Sequence, residues 1–174
     1  MILDVLVRKI VTNLRFWTNS DTIITKTLKL LSDLCFGYSS LRRLVKSAQI
    51  QDILLHHTAQ YFPFLDTCAD TRHRTTFYTA LGRIMSSETT ESDVTRFETF
   101  LVPIGQVLTK IGTHICSPQG VTAQNTPAVK RAMLGVVRDV RGILRSLTSK
   151  PSYSVVFEFL YPTYMPVLIK AVGQ

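Results

Sequence analysis

An all-α, HEAT-like helical-repeat solenoid is the fold class this sequence predicts, and three observations predict it. Apolar residues recur at spacings of three and four almost throughout. No segment alternates apolar and polar residues as a half-buried strand would. Several helices carry apolar residues on two faces, as the middle of a stack requires. At roughly 40 residues per helix pair, the chain accommodates about four pairs in a partial superhelix, each pair touching only its neighbours.

Taken in order, Leu3, Leu6, Val7, Ile10 and Leu14 share one face of a first helix. Ser20 is placed to cap a second over 20–36, with Ile24, Leu28, Leu31 and Cys35 on one side and Ile23, Leu30 and Leu34 on another, until Gly37 breaks it. Ser39 is placed to cap a third stretch through Leu41, Leu44, Val45 and Ala48 that runs on to Ile53 and Leu54. After a break over 62–71, Phe77, Leu81 and Ile84 mark the next helix. Thr90-Glu91-Ser92-Asp93 reads as a capping box, and the helix behind it keeps its period from Val94 to Ile115 through a kink at Pro103. A polar stretch, 117–125, leads to Thr126-Pro127, a cap followed by proline at the first helical position, and to Val129, Met133, Val136, Val140, Ile143 and Leu147. A last segment from Val155 to Leu160 ends at Tyr161-Pro162, before a final apolar turn at Val167 to Ile169. The breaks near 62–71 and 117–125 are weak, so residues 1–174 read as one segment of a solenoid without an independent domain boundary. The chain opens without a capping repeat and closes at Gln174 without a polar final helix, as a piece of something longer would.

Hydrophobic residues make up 45% of the chain, enough for a core, and this excludes a disordered tail. Twenty Lys and Arg against twelve Asp and Glu give a net charge of +8, which favours acidic partners: nucleic acid, an anionic membrane face or an acidic protein surface. The first residues carry Asp4 and lack the apolar run of a signal peptide. The longest uncharged interval, Lys110 to Lys130, is too polar to cross a bilayer, so no membrane insertion is expected. Cys35, Cys68 and Cys116 form no CxxC and leave one cysteine over in any pairing scheme, as in a soluble intracellular protein.

Enzyme signatures are missing: no GxGxxG, P-loop, HExxH or GxSxG occurs, so the sequence predicts no enzyme, cofactor or metal. His56 and His57 are adjacent, point about 100° apart on a helix, and read as a solvated helix end. Cys35 reads as a packing residue. The informative feature is a row of arginines. Arg131, Arg138 and Arg145 recur every seven residues, and Arg141 lies beside the last two. The planar guanidinium fork suits an acidic partner, but stacked repeats also use arginine to hold an aspartate of the adjoining repeat, and Asp139 lies next to this row. Both readings stay open at this point. Docking on the concave side would follow if this helix is the second of its pair. Arg42 and Arg43, with Lys46, form a smaller basic cluster that a solvated face explains. The aromatics Phe77, Tyr78, Phe97, Phe157 and Phe159 sit at core-like spacings rather than interleaved with charge, so direct nucleic-acid binding is not expected.

Longer strings point to a family. Arg74-Thr75-Thr76-Phe77-Tyr78-Thr79-Ala80-Leu81-Gly82-Arg83, Val137-Arg138-Asp139-Val140-Arg141-Gly142-Ile143 and Tyr161-Pro162-Thr163-Tyr164-Met165-Pro166 resemble the family of exportin-7 and Ran-binding proteins 16 and 17. Leu6 to Leu14 and Gly37 to Lys46 add to the likeness, in the same order along the chain. The resemblance implies an importin-β-type transport receptor of HEAT repeats that carries protein cargo through nuclear pores. Its implied partners are GTP-bound Ran, cargo and nucleoporins, and its implied location is a shuttle between cytoplasm and nucleus. The family's principal Ran-binding surface lies in N-terminal repeats outside this segment, so the resemblance assigns no residue here to Ran. The alternative reading is a generic α-helical scaffold binding an acidic protein or nucleic acid.

Overall fold

The two-faced helices do build a two-layered stack. The computed structural model describes residues 2–67, 70–88, 94–115 and 126–172, and all its regular elements are α-helices. They are α1 (Ile2–Phe16), α2 (Asp21–Phe36), α3 (Tyr38–Leu44), α4 (Ala48–Leu55), the single turn α5 (Phe64–Thr67), α6 (Arg72–Glu88), α7 (Val94–Ile115), α8 (Thr126–Ser146) and α9 (Lys150–Val172). One layer is α2, α6 and α8; the other is α1, α4, α7 and α9. Within each layer a helix packs on the next in chain order, while α1 on α2 and α7 on α8 join the layers. Contacts pass from neighbour to neighbour, as in a solenoid, rather than converging on one bundle core.

Local sequence explains most boundaries. Val7, Ile10 and Leu14 bury one face of α1, and Ile24, Leu28, Leu31 and Cys35 one face of α2. Ser20 stands at the N-cap of α2 in extended backbone, but its side chain makes no capping hydrogen bond. At Gly37 the chain turns so tightly that an added Cβ would lie 2.5 Å from the Ser40 hydroxyl. That hydroxyl donates to the carbonyls of Leu34 (2.6 Å) and Gly37 (2.9 Å), closing the C-terminus of α2. The stretch expected to run unbroken from Ser39 to Leu54 is two helices. α3 begins at Tyr38, ahead of Ser39, and the chain leaves helix at Val45 to Ser47, where the Gln51 side-chain amide donates to the Val45 carbonyl at 2.5 Å.

Between α4 and α6 the long helices do break, and the interrupted stretch feeds the core: Phe62 and Phe64 are buried, each with its ring centroid 5.4 Å from that of Phe77. Two further expectations are corrected. His57 is not at a solvated helix end but fully buried, while His56 is exposed and pairs with Asp52 at 3.0 Å. The last helix does not stop at Tyr161-Pro162, because α9 continues through Pro162 and Pro166. Proline removes one ladder hydrogen bond each time, and packing on α7 holds the helix across the gaps. The capping box at 90–93, the stretch 117–125, Cys68 and Cys116 lie outside the described residues.

Candidate functional site

The helix that carries the arginine row is shaped by what it leaves out. On α8, Gly135, Asp139, Gly142 and Ser146 are buried and follow one another at spacings of four, three and four, so they face a single neighbour. That neighbour is α6. A Cβ on Gly142 would lie 2.6 Å from the Thr75 carbonyl oxygen and 2.9 Å from the Tyr78 Cβ, so the two backbones meet with no room for a side chain. Gly82 on α6 makes the reciprocal approach, since a Cβ there would lie 3.1 Å from the Ile143 Cα.

Into this tight seam the fold places a buried ion pair. The Arg74 guanidinium donates from Nε to Asp139 Oδ1 (2.8 Å) and from Nη2 to Oδ2 (2.5 Å). Its Nη1 donates to the Leu65 carbonyl and the Asp66 carboxylate, both at 3.0 Å. Gly135 makes room for it, since a Cβ there would sit 3.2 Å from the Arg74 Cζ. Burial pushes the Asp139 carboxyl up and the Arg74 fork opposes that; bidentate geometry holds the pair ionised. The inter-repeat arginine–aspartate bond foreseen for this helix therefore exists, but its arginine is Arg74 of α6. Sequence reasoning missed Arg74 because the partner lies 65 residues away.

The row itself lies along the edge of the seam. Arg138 is half-buried and Arg131, Arg141 and Arg145 are exposed. Among the described residues none of these four guanidinium groups has a hydrogen bond or ion pair within reach. α8 lies in the layer of α2 and α6 and packs on α7, the helix before it in the chain. The structure also divides the row. Arg131 and Arg138 line a cavity of about 550 Å³ between α6, α7, α8 and residues 58–66 and 70–71, whereas Arg141 and Arg145 lie outside it. The charged part of its lining is balanced, Asp66, Asp70 and Asp139 against Arg74, Arg131 and Arg138, and Phe64, Pro103, Ile104, Val107, Ala128 and Ala132 supply an apolar part. Asp70 is held well below the usual carboxylate range, at about 2, by the side chain and amide of Arg72.

Arg42 and Arg43 are exposed on α3, far in sequence from this cavity and not part of its lining; Arg42 lies 5.8 Å from the Tyr38 ring centroid. Of the aromatics assigned to packing, Phe77, Tyr78 and Phe97 are buried and Phe159 partly so. Phe157 is the exception at 61% exposed, stacked on Tyr161 at 4.8 Å. With Leu144, Tyr153 and Tyr164 these rings line a second, apolar groove of about 500 Å³ between α8 and α9.

Behind the first cavity, His57 ties three elements together. Its Nε2 donates to the Phe100 carbonyl at 2.9 Å, just ahead of Pro103, and Tyr78 donates its hydroxyl proton to the His57 carbonyl at 2.8 Å. Burial lowers the His57 pKa to about 4, so the ring is neutral near pH 7. Burial pushes the Cys35 thiol up to about 12. Among the described residues no cluster of His, Cys, Asp and Glu could hold a metal, and no helix is long and apolar enough to cross a membrane.

Comparison with known proteins gives one consistent answer. Residues 1–73 match the family described as "Exportin-7-like, TPR domain". Exportin-7-B of Xenopus laevis is 39% identical over 99% of this chain, Ran-binding protein 16 of Drosophila melanogaster 38% over 98%, and Exportin-7 of Dictyostelium discoideum 32% over 97%. In each case the chain spans only 16% of the relative's length. No solved structure matches the chain.

Proposed function

Because the chain belongs with the exportin-7 and Ran-binding protein 16 and 17 family, we propose that it serves as one stretch of a nuclear export receptor that carries protein cargo through nuclear pores under the control of GTP-bound Ran. The observation that carries this reading is the near end-to-end alignment with proteins named exportin-7 and Ran-binding protein 16. The two-layered helical repeat supports it, since a solenoid offers a long surface without a catalytic pocket. The receptor shuttles between nucleus and cytoplasm, touches nucleoporins on the way and performs no chemistry of its own. The stretch is not inserted in membrane and does not bind nucleic acid directly.

Within it, the basic row is the surface for an acidic partner. Arg131, Arg138, Arg141 and Arg145 are candidate contacts, with Arg42 and Arg43 as a second, smaller group. Their guanidinium groups are not spent on internal pairs, because Arg74 already holds Asp139.

A chimera tests the reading. This chain replaces the aligned stretch of frog exportin-7, and Ran-GTP-dependent export of a cargo is followed in permeabilised cells. Export at the parent's level is the expected result. A folded chimera that binds neither Ran-GTP nor cargo contradicts it.

A further inference from the structure

We infer that the exposed rings of Phe36 and Tyr38, each with a guanidinium over it, form with Arg42, Arg43 and Arg83 a docking site for an acidic segment of a partner protein that carries an aromatic residue among its carboxylates. The inference rests on reading Arg42 and Arg43 as partner contacts, and adds to them a third arginine, two rings and one partner chemistry. Three elements meet here: Phe36 ends α2, Tyr38 begins α3, and Arg83 reaches across from α6. The Arg83 Cζ lies 5.2 Å from the Phe36 ring centroid, and the Arg42 Cζ 5.8 Å from that of Tyr38. The rings are two residues apart in the chain, so their Cα atoms lie within about 7 Å of each other. Gly37 between them is extended, and the Ser40 hydroxyl, bonded to the Leu34 and Gly37 carbonyls, fixes the corner.

Charge selects the partner. Arg42, Arg43 and Arg83 have no ion pair among the described residues. Asp33, the acid on the same end of α2, is already paired with Lys29 at 3.6 Å. Three positive charges are left over, and Lys46, exposed four residues beyond Arg42, adds a fourth. A guanidinium over a ring uses its face and keeps its N–H edge open to a carboxylate, with less freedom to lose on binding. Phe36 is 61% and Tyr38 76% exposed, so the site offers aromatic area beside its charge. Arginine and aromatic side chains are the ones that anchor protein–protein contacts, and a ring on the partner would cover that area. Because Arg83 bridges two successive helices of one layer, the patch lies on the flank of the stack and not on an end face. A nucleic-acid strand fits less well. It needs free ring faces for its bases and a groove of cations along its backbone, whereas guanidinium groups lie over both rings and Asp33 stands at the edge.

The test is fluorescence anisotropy on the 174-residue chain. The probe is a labelled decapeptide with Glu-Phe-Glu-Glu at its centre, run against Gln-Phe-Gln-Gln and Glu-Ser-Glu-Glu counterparts and an oligothymidylate. The expected result is binding of the first peptide, with the other three at least tenfold weaker. R42E/R83E weakens it at least tenfold, and K9E/K110E, an equal change of net charge on α1 and α7, less than threefold. F36A/Y38A removes both rings and no charge, so it too weakens the peptide, at least fivefold; both rings being exposed, this variant decides the matter if the charge reversal unfolds the chain. The proposal is overturned by no binding to the native chain, by equal loss in the two charge-reversed pairs, by equal binding of the glutamine or serine peptide, by tighter binding of the oligothymidylate, or by native binding in F36A/Y38A. Such a failure leaves cargo export by the chimera intact, and a chimera that does not export leaves the peptide result standing, so the two readings fail separately.

Discussion

The two long seams of this stack, α6 against α8 and α7 against α9, are built from the same device to opposite ends. Each uses glycines seven residues apart, Gly135 and Gly142 on α8, Gly105 and Gly112 on α7. In the first seam the glycines bring backbones and a buried ion pair together. In the second they are notches for side chains: a Cβ on Gly105 would meet the Phe159 ring at 3.1 Å, and one on Gly112 the Val167 Cγ2 at 2.7 Å. The first seam is therefore rigid and polar, the second apolar and able to give, because the far end of a side chain moves where a backbone cannot. The layer that carries the arginine row is the rigid one, so the row is presented on a fixed frame.

That contrast can be broken by substitution. Gly142→Val forces the α6 and α8 backbones apart and is expected to cost about 4 kcal/mol in chemical denaturation; Gly112→Val is expected to cost about half as much, and equal losses would remove the distinction. Acid separates the regions next. The folded-state pKa of His57, about 4, lies below the unfolded value near 6.5. Its contribution is fully present above pH 6.5 and is lost as pH falls towards 4, a loss of about 3 kcal/mol. His57→Gln, whose amide can still donate to the Phe100 carbonyl, should flatten the stability–pH curve over that window.

Smaller effects probe single contacts. Gly105→Ala gains about 1 kcal/mol of helix propensity against a slight push on Phe159, so thermal melting should move by no more than a few degrees. At the polar end of the first seam, Ser86 accepts the Thr148 amide at 2.9 Å and shares a hydrogen bond with Ser152 at 3.0 Å. Ser86→Ala there should cost about 1–2 kcal/mol. The smallest effect is on reactivity: the buried Cys35 thiol, raised to about 12, should label with a thiol reagent only as fast as the chain unfolds.

Helical spacing made α1, α2, α6, α7 and α8 legible, because burying a stripe every three to four residues leaves its mark in any sequence that does it. α9 was legible only as far as Leu160, since local rules end a helix at Pro162 while its packing on α7 carries it on. His57 was misread for the same reason, its partners Tyr78 and Phe100 being 21 and 43 residues away. The arginine row was visible as a heptad, yet its division by the cavity was not. That division depends on Arg74 crossing from α6 to take Asp139, and nothing in the spacing of α8 says which arginine wins.

The central claim is that Arg74 and Asp139 form the latch of the rigid seam and leave the row unspent. A double-mutant cycle with Arg74→Met and Asp139→Leu measures it directly. Each single change strands a buried charge and should cost about 3–5 kcal/mol, while the double change should cost far less than their sum, with a coupling above about 2 kcal/mol. Additive losses, or a coupling that appears instead between Asp139 and Arg138, would contradict the account.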